Sequence, residues 1–297
     1  MASRIIEFFG YSPSDSSPIA RYSRAEKLCP FVEGRCIKTL NDGLPSGACT
    51  LEPAKGGAVI CCPIRLYANN YKILHDVASI AFGPNIDLVI GNEASQNLPT
   101  FGRSKIAVFG KSWGGELRLP NRSGVGGYYV DWVLAKLDAN NQLEEFVAVE
   151  VQSIDTTGNY RSEREAYLLE QDFIGNSSAG FNWENVSKRI LPQLIYKGNV
   201  LQRERNCKKG LFFISPTPVY DRINQRLGNG LLEYHLQTGS ITFMWYNIGN
   251  TAPAGVVRDL ELNGSFTTSV VQIANAFTSP TNLPPANVYE KAIQAVL

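Results

Sequence analysis

Histidine is nearly missing from this chain of 297 residues, which carries only His75 and His235. Two imidazoles so far apart are too few for a His-based catalytic site, and each reads as an ordinary helix or strand residue. A surplus of charge is missing as well. With 28 Lys and Arg against 27 Asp and Glu, the net charge is +1. The chain is therefore no global polycation, and any nucleic-acid binding must come from local clusters. No apolar run approaches the roughly 18 residues that cross a bilayer. The apolar stretch in "MASRIIEFFGYSPSDSSP" is too short for a signal peptide, so a soluble, intracellular protein is expected. Internal repeats and low-complexity tracts are absent. Ordinary composition with 26 glycines argues against disorder, a collagen-like repeat or a coiled coil. The tight Cys-x₂-Cys knuckles of common zinc fingers are lacking too.

What remains is enough to build on. A chain of this length that is 44% hydrophobic can bury a sizeable core. It suits one large α/β or α+β domain, or a main domain with a small appendage. Five of the six cysteines (Cys29, Cys36, Cys49, Cys61, Cys62) fall in the first fifth of the chain, and Cys207 stands alone as a passive thiol. Inside a cell such a cluster more often binds metal than forms disulfides. Six, then twelve, then eleven or twelve residues separate Cys29, Cys36, Cys49 and the Cys61/Cys62 pair. Four thiolates suit tetrahedral zinc or a single iron ion. Buried free thiols or a disulfide are the plainer alternatives.

The apolar pattern predicts a helix over 67–83, closed by Gly83 and Pro84. "GELRL" (115–119) reads as a strand entering the Gly-rich "NRSGVGG". "SEREAYLLEQDFI" and "NVSKRILPQLIYKGNVLQ" read as helices, the second kinked or split by Pro192. "GLFFISP" and "SITFMWYNIG" read as strands, "VYDRINQRL" and "TTSVVQIANAFTS" as helices. The alternation predicts an α/β (α+β) fold with a mixed central sheet flanked by helices.

The clearest unit is a hairpin. "YYVDWVLAKL" (128–137) and "LEEFVAVEVQ" (143–152) flank "DANNQ", and a two-residue Asn140-Asn141 turn would pair them. Asp131 then faces Glu150, and Gln152 lies on the same face. The register depends on that turn, because a slip of one residue reverses the faces. Two neighbouring carboxylates on one face oppose each other's ionisation. A divalent cation such as Mg²⁺ removes the conflict, binds phosphate oxygen and acidifies a bound water. The alternative is an amphipathic hairpin with a solvated polar face. The segment "SKRILPQLIYKGNVLQRERNCKK" collects Lys188, Arg189, Lys197, Arg203, Arg205, Lys208 and Lys209 against Glu204. It reads either as a solvated helix face or as a local basic cluster.

In this order of motifs the chain resembles the NotI-type restriction endonucleases. The likeness is carried by "IIEFFGY", "CPF" at Cys29, Cys36, Cys49, "CPIR" at Cys62 and "GGELRL". It continues through "VDWVLA", "VAVEVQSIDTTGNYR", "SKRILPQLIYKGN", "ITFMWYNIG" and "RDLELN", from about residue 5 to 280. An Asp followed by Glu-x-Gln on the next strand is similar to the PD-(D/E)xK nucleases, with Gln152 where most have Lys. Val130 also stands where the motif has Pro.

The resemblance implies a small four-cysteine metal lobe and helix in 1–83 and a PD-(D/E)xK-like nuclease domain in 84–297. It implies Asp131 and Glu150 as Mg²⁺ ligands, Gln152 positioning water or phosphate, and Glu116 as an auxiliary acid. It implies a structural iron, or else zinc, held by Cys29, Cys36, Cys49 and Cys62. Lys188, Arg189, Gln193 and Lys197 would contact DNA. The activity implied is a type II restriction endonuclease that hydrolyses double-stranded DNA at a GC-rich palindrome. It would act as a homodimer, with a cognate methyltransferase in a prokaryotic cytoplasm but no stable complex with it. Arg103, Lys105, Arg118 and Arg122 lie near the catalytic segments in sequence. The alternatives are a non-catalytic metal-containing DNA-binding or scaffold protein, and a DNA repair nuclease of the same fold. A two-carboxylate glycosidase explains neither the cysteines nor the basic segment.

Overall fold

The computed structural model describes the chain apart from residues 1–2, 98–99, 112, 114, 116, 120–127, 176, 229 and 282. Strand β1 (Ser3–Phe8), helix α1 (Pro18–Glu26) and strands β2 (Ala48–Pro53) and β3 (Val59–Ile60) come first, and the three strands form one small sheet. Helix α2 (Ala68–Phe82) follows and ends at Gly83, as its Gly-Pro stop predicts. Strands β4 (Ile86–Ile90) and β5 (Ser104–Gly110) run parallel to each other. The short strands β6 (Arg118–Leu119) and β7 (Tyr128–Tyr129) pair with each other, and β8 (Trp132–Leu137) and β9 (Leu143–Val151) form the hairpin.

Strand β10 (Thr156–Thr157) pairs with β11 (Gly180–Phe181) across an excursion that carries α3 (Arg161–Leu168). The chain then runs through α4 (Leu191–Leu201), β12 (Leu211–Pro216), α5 (Thr217–Leu227) and β13 (Ser240–Ile248). It finishes with β14 (Leu260–Ser269), α6 (Val270–Thr278) and α7 (Val288–Gln294). No helix among the described residues is long and apolar enough to cross a membrane.

The centre is a mixed seven-stranded sheet in the order β14-β13-β12-β9-β8-β5-β4. Strand β9 lies in the middle, antiparallel to β8 and parallel to β12. Val147, Val149 and Val151 enter the core shared with α2, while Ala148 enters the core under α4, α5 and α6. A strand covered on both faces buries the side chains of each face, so a charged group on it needs a partner. Phe31, Cys49 and Ile60 of the N-terminal segment share the α2 core with the main sheet.

Several elements depart from the pattern. The stretch 128–137 is two strands, not one: the ladder breaks at Val130 and Asp131, where β7 leaves to pair with β6. Helix α3 stops at Leu168, because Glu170 turns left-handed. Thr267, Thr268 and Ser269 belong to β14 and not to the late helix. The break expected at Pro192 is a π-helical turn, Val186–Ile190, that leads into α4. Pro192 has no N–H to donate, and the wider turn gives the backbone another bonding pattern: Leu191 N–H donates to the Val186 carbonyl.

Candidate active site

The hairpin register is the one that sets Asp131 opposite Glu150. Its pairs run Trp132–Val149, Val133–Ala148, Leu134–Val147, Ala135–Phe146 and Lys136–Glu145. The turn is different from the one expected. Asn140-Asn141 is not a two-residue turn but part of a loop from Asp138 to Gln142, closed by a bulge that leaves Glu144 unpaired. Asp138 Oδ1 accepts from the backbone of Asn140 and of Gln142, each at 2.8 Å, and Asn141 takes the left-handed conformation. The longer loop and the one-residue bulge offset each other, so the faces are unchanged.

Asp131 sits at the strand break, one step before the first ladder pair. Its Oδ2 accepts from the Val151 backbone N–H at 2.7 Å, which ties the break to the end of β9. The next residue, Trp132, is buried and packs edge-on against Tyr67, whose hydroxyl accepts from Trp132 Nε1 at 3.3 Å. Gly110 carries no side chain where the Trp132 ring passes; a Cβ there would overlap the ring.

Glu150 lies on the face covered by α4. Its Oε1 meets Lys197 Nζ at 2.5 Å, with the two side chains 11% and 14% exposed. Its Oε2 is buried without a protein partner. Burial first, then the Asp131 charge, pushes the Glu150 carboxyl up to about 7 against the pull of Lys197. Gln152 continues the strand, its N–H donating to the Ile214 carbonyl at 2.9 Å and its side-chain amide to the Ser153 carbonyl at 3.0 Å. Glu150, Gln152, Gln193 and Lys197 line one narrow cleft floored by Phe213, Ile190 and Leu194.

The four basic-segment residues therefore divide. Lys188 is exposed and paired with Glu184, and Arg189 is exposed with Asp155 at 3.3 Å. Gln193 and Lys197, one helical turn apart, converge on Glu150. The sequence carried a signal for this: Leu194 and Leu201 flank Lys197 on the buried side of α4, so the lysine rises from a core-facing stripe. Gly198 beside it lets the helix close on Val270 and Ile241, where a Cβ would come within 2.8 Å of the valine.

Other candidates lie elsewhere. Arg103 is held by Asp87 at 2.5 Å. Lys105 is buried, with its ammonium bonded to Ala94 O, Asn97 O and the Asn141 side chain, so neither is free to meet a base edge. Glu116 and Arg122 lie outside the described residues, as does the side chain of Arg118.

The cysteines form two sets. Cys29 Sγ accepts backbone N–H groups from Phe31 and Val32, and Cys62 Sγ accepts one from Ile64. Burial raises Cys49, which also feels Cys62, Glu7, Cys29 and Cys36, and burial pushes Cys62 up to about 12. Cys61 turns away: its thiol faces the Cys49 carbonyl at 3.5 Å and receives Lys38 Nζ at 3.4 Å, among Ile5, Phe8 and Phe9. All six cysteines are free, and among the described residues no three His, Cys, Asp or Glu side chains gather closely enough to hold an ion.

A mixed sheet that brings two carboxylates, an amide and an ammonium to the end of its central strand has the equipment of a hydrolase site. The family model described as restriction endonuclease NotI matches residues 16–221, more than half of the chain, and that stretch includes Asp131, Glu150, Gln152 and Lys197. The chain belongs to this family of restriction endonucleases, site-specific nucleases that act on double-stranded DNA. Strands β1, β13 and β14, which hold "IIEFFGY", "ITFMWYNIG" and "RDLELN", fall outside the matched stretch. Among curated proteins, no sequence matches the chain.

Proposed function

We propose that this restriction endonuclease hydrolyses phosphodiester bonds with Mg²⁺ at the Asp131–Glu150 pair, in a PD-(D/E)xK-like core of the Glu-x-Gln kind. The observation that carries the reading is the buried, unpartnered Oε2 of Glu150 beside a second carboxylate. Such an arrangement is unfavourable unless a cation completes it. Mg²⁺ suits the donors: it takes one or two carboxylates and leaves its other positions to water and phosphate. Bound there, it would lower the pKa of water and stabilise charge on the phosphoryl oxygens. Asp131 and Glu150 would hold the ion, while Gln152 would orient water or phosphate through its amide and carry no proton away. Lys188, Arg189 and Gln193 contact the DNA backbone and set its position without choosing its sequence.

A GC-rich palindrome, cut by a homodimer with one site per strand, completes the type II reading. A prokaryotic cytoplasm and a cognate methyltransferase go with it. Cys29, Cys36, Cys49 and Cys62 would hold a structural iron or zinc by closing further on it, since no three of them gather around an ion as they stand. Support comes from the backbone donors aimed at Cys29 and Cys62 and from the opposite turn of Cys61. Metal analysis of purified protein should return one iron or zinc per chain, lost in Cys49→Ser.

Incubation with unmethylated, sequence-diverse linear DNA tests the activity. Discrete fragments that need Mg²⁺, vanish with EDTA and vanish in Glu150→Ala are expected. A smear would turn the reading toward a repair nuclease. No cleavage by folded protein would turn it toward a DNA-binding or scaffold role.

A further inference from the structure

Position 152 carries a neutral amide, so strand β9 brings no positive charge to the acidic pair. The charge arrives from another element. Lys197 on α4 is the one cation among the described residues that line the cleft, and its Nζ lies 2.5 Å from Glu150 Oε1. The other basic residues nearby are committed outward, Lys188 to Glu184 and Arg189 to Asp155. Lys197 is also held in depth by its helix, since Gly198 lets α4 settle against Val270 and Ile241. The pairing is incomplete: the ammonium meets one oxygen of Glu150, and Oε2 stays without a protein partner.

Charge balance says what this arrangement awaits. With both carboxylates ionised, Asp131, Glu150 and Lys197 would together carry a single negative charge. A divalent cation turns this into a single positive charge, which matches the one negative charge of a phosphodiester. Without Lys197 the loaded site would be neutral and the phosphate uncompensated in a partly buried cleft, where unpaired charge is costly.

We propose that Lys197 is the cationic catalytic residue of this site. It holds Glu150 before substrate arrives, then turns its ammonium to a non-bridging oxygen of the scissile phosphodiester once a divalent cation occupies the carboxylates. Lys197 makes or breaks no covalent bond; its ammonium stabilises charge as it develops on phosphorus oxygens. This rests on the nuclease reading above and gives the helix a role that the strand motif leaves unfilled.

The test compares wild type, Lys197→Met, Lys197→Arg, Glu150→Ala and the double variant Gln152→Lys/Lys197→Met. Two readouts are used: Mn²⁺ affinity by calorimetry without DNA, and single-turnover cleavage with Mg²⁺. Lys197→Met should bind Mn²⁺ several-fold more tightly, because the ion no longer competes with the ammonium for Glu150. Its cleavage should fall about 10²–10³-fold, the usual loss for one donor to a developing oxyanion. Lys197→Arg should keep part of the rate, and the double variant should recover most of it by restoring the charge from the strand.

Weaker Mn²⁺ binding together with lost cleavage in Lys197→Met would make the lysine a structural prop and overturn the proposal. Wild-type cleavage in Lys197→Met would overturn it as well. If wild type cleaves nothing and Glu150→Ala binds Mn²⁺ as wild type does, the nuclease reading itself falls. The Mn²⁺ affinity of Lys197→Met decides the competition for Glu150 without reference to cleavage.

Discussion

Two buried glutamates meet cations in this molecule, and they are held differently. Glu7 and Arg65 are fully enclosed, joined by two bonds of 2.9 and 3.0 Å. Thr50 adds a third donor to Glu7, while Arg65 also reaches the Arg258 carbonyl at 2.8 Å and lies over the Phe31 ring. Glu150 meets Lys197 through one oxygen, beside the charge of Asp131, with its second oxygen unpartnered. The first pair fastens β1 and the "CPIR" segment to the loop before β14. The second sits at the end of a central strand, beside a narrow crevice, with one carboxylate oxygen unused. Both are buried ion pairs; Arg65 leaves Nη1 without a partner, but both Glu7 oxygens are bonded, whereas Glu150 leaves a carboxylate oxygen open. A fork-shaped guanidinium suits the closed case, and a single, flexible ammonium suits the open one.

Breaking each pair should give opposite results. Arg65→Met leaves the enclosed Glu7 without its cation, so a loss of about 3–5 kcal/mol is expected in urea denaturation. A loss under about 1 kcal/mol would erase the contrast with the Glu150 pair. Glu150→Gln removes the repulsion with Asp131, so stability should stay within about 1 kcal/mol of wild type while Mg²⁺-dependent cleavage disappears. Large destabilisation with retained cleavage would reverse the assignment.

Tyr67→Phe sharpens how the enclosed region braces the open one. It removes the Trp132 bond next to Asp131 and should cost about 0.5–1.5 kcal/mol, read as a shift in denaturation midpoint. An effect confined to alkaline pH concerns Cys207, a buried thiol with no ion pair. Burial raises it from 9.0 to about 12, so the unfolded chain loses this proton first as pH climbs. Its stabilising share is complete below about pH 9 and is lost progressively up to about pH 12. Cys207→Ala should flatten this part of the alkaline stability profile, and an unchanged slope would refute the assignment.

Much of this was legible beforehand. Alternating valines marked β9, the Gly-Pro stop marked the end of α2, and the pairing of Asp131 with Glu150 followed from hairpin geometry. The turn was misread because Asn-Asn suits a two-residue turn and nothing local reveals a compensating bulge at Glu144. Strand β14 escaped notice because its residues, only two of them buried, lack a clean apolar alternation; pairing with β13 makes it a strand. The role of Lys197 was only half visible. Its stripe on α4 said that it faces inward, but which carboxylate it meets depends on how the helix docks.

The sequence by itself determined the local chemistry: which residue types stand on the hairpin face, which cysteines cluster, and where helices stop. These follow from side-chain alternation, helical periodicity and capping, all of which act over a few residues. Tertiary structure alone decided that Lys197 and Glu150 share a cleft 47 positions apart in the chain, that Cys61 turns from Cys62's side, and that Lys105 is sealed inside. Those outcomes depend on the packing of whole elements, where Gly198 sets how closely a helix approaches and Gly110 makes room for the Trp132 ring. Contacts of that range carry no periodic trace in the chain.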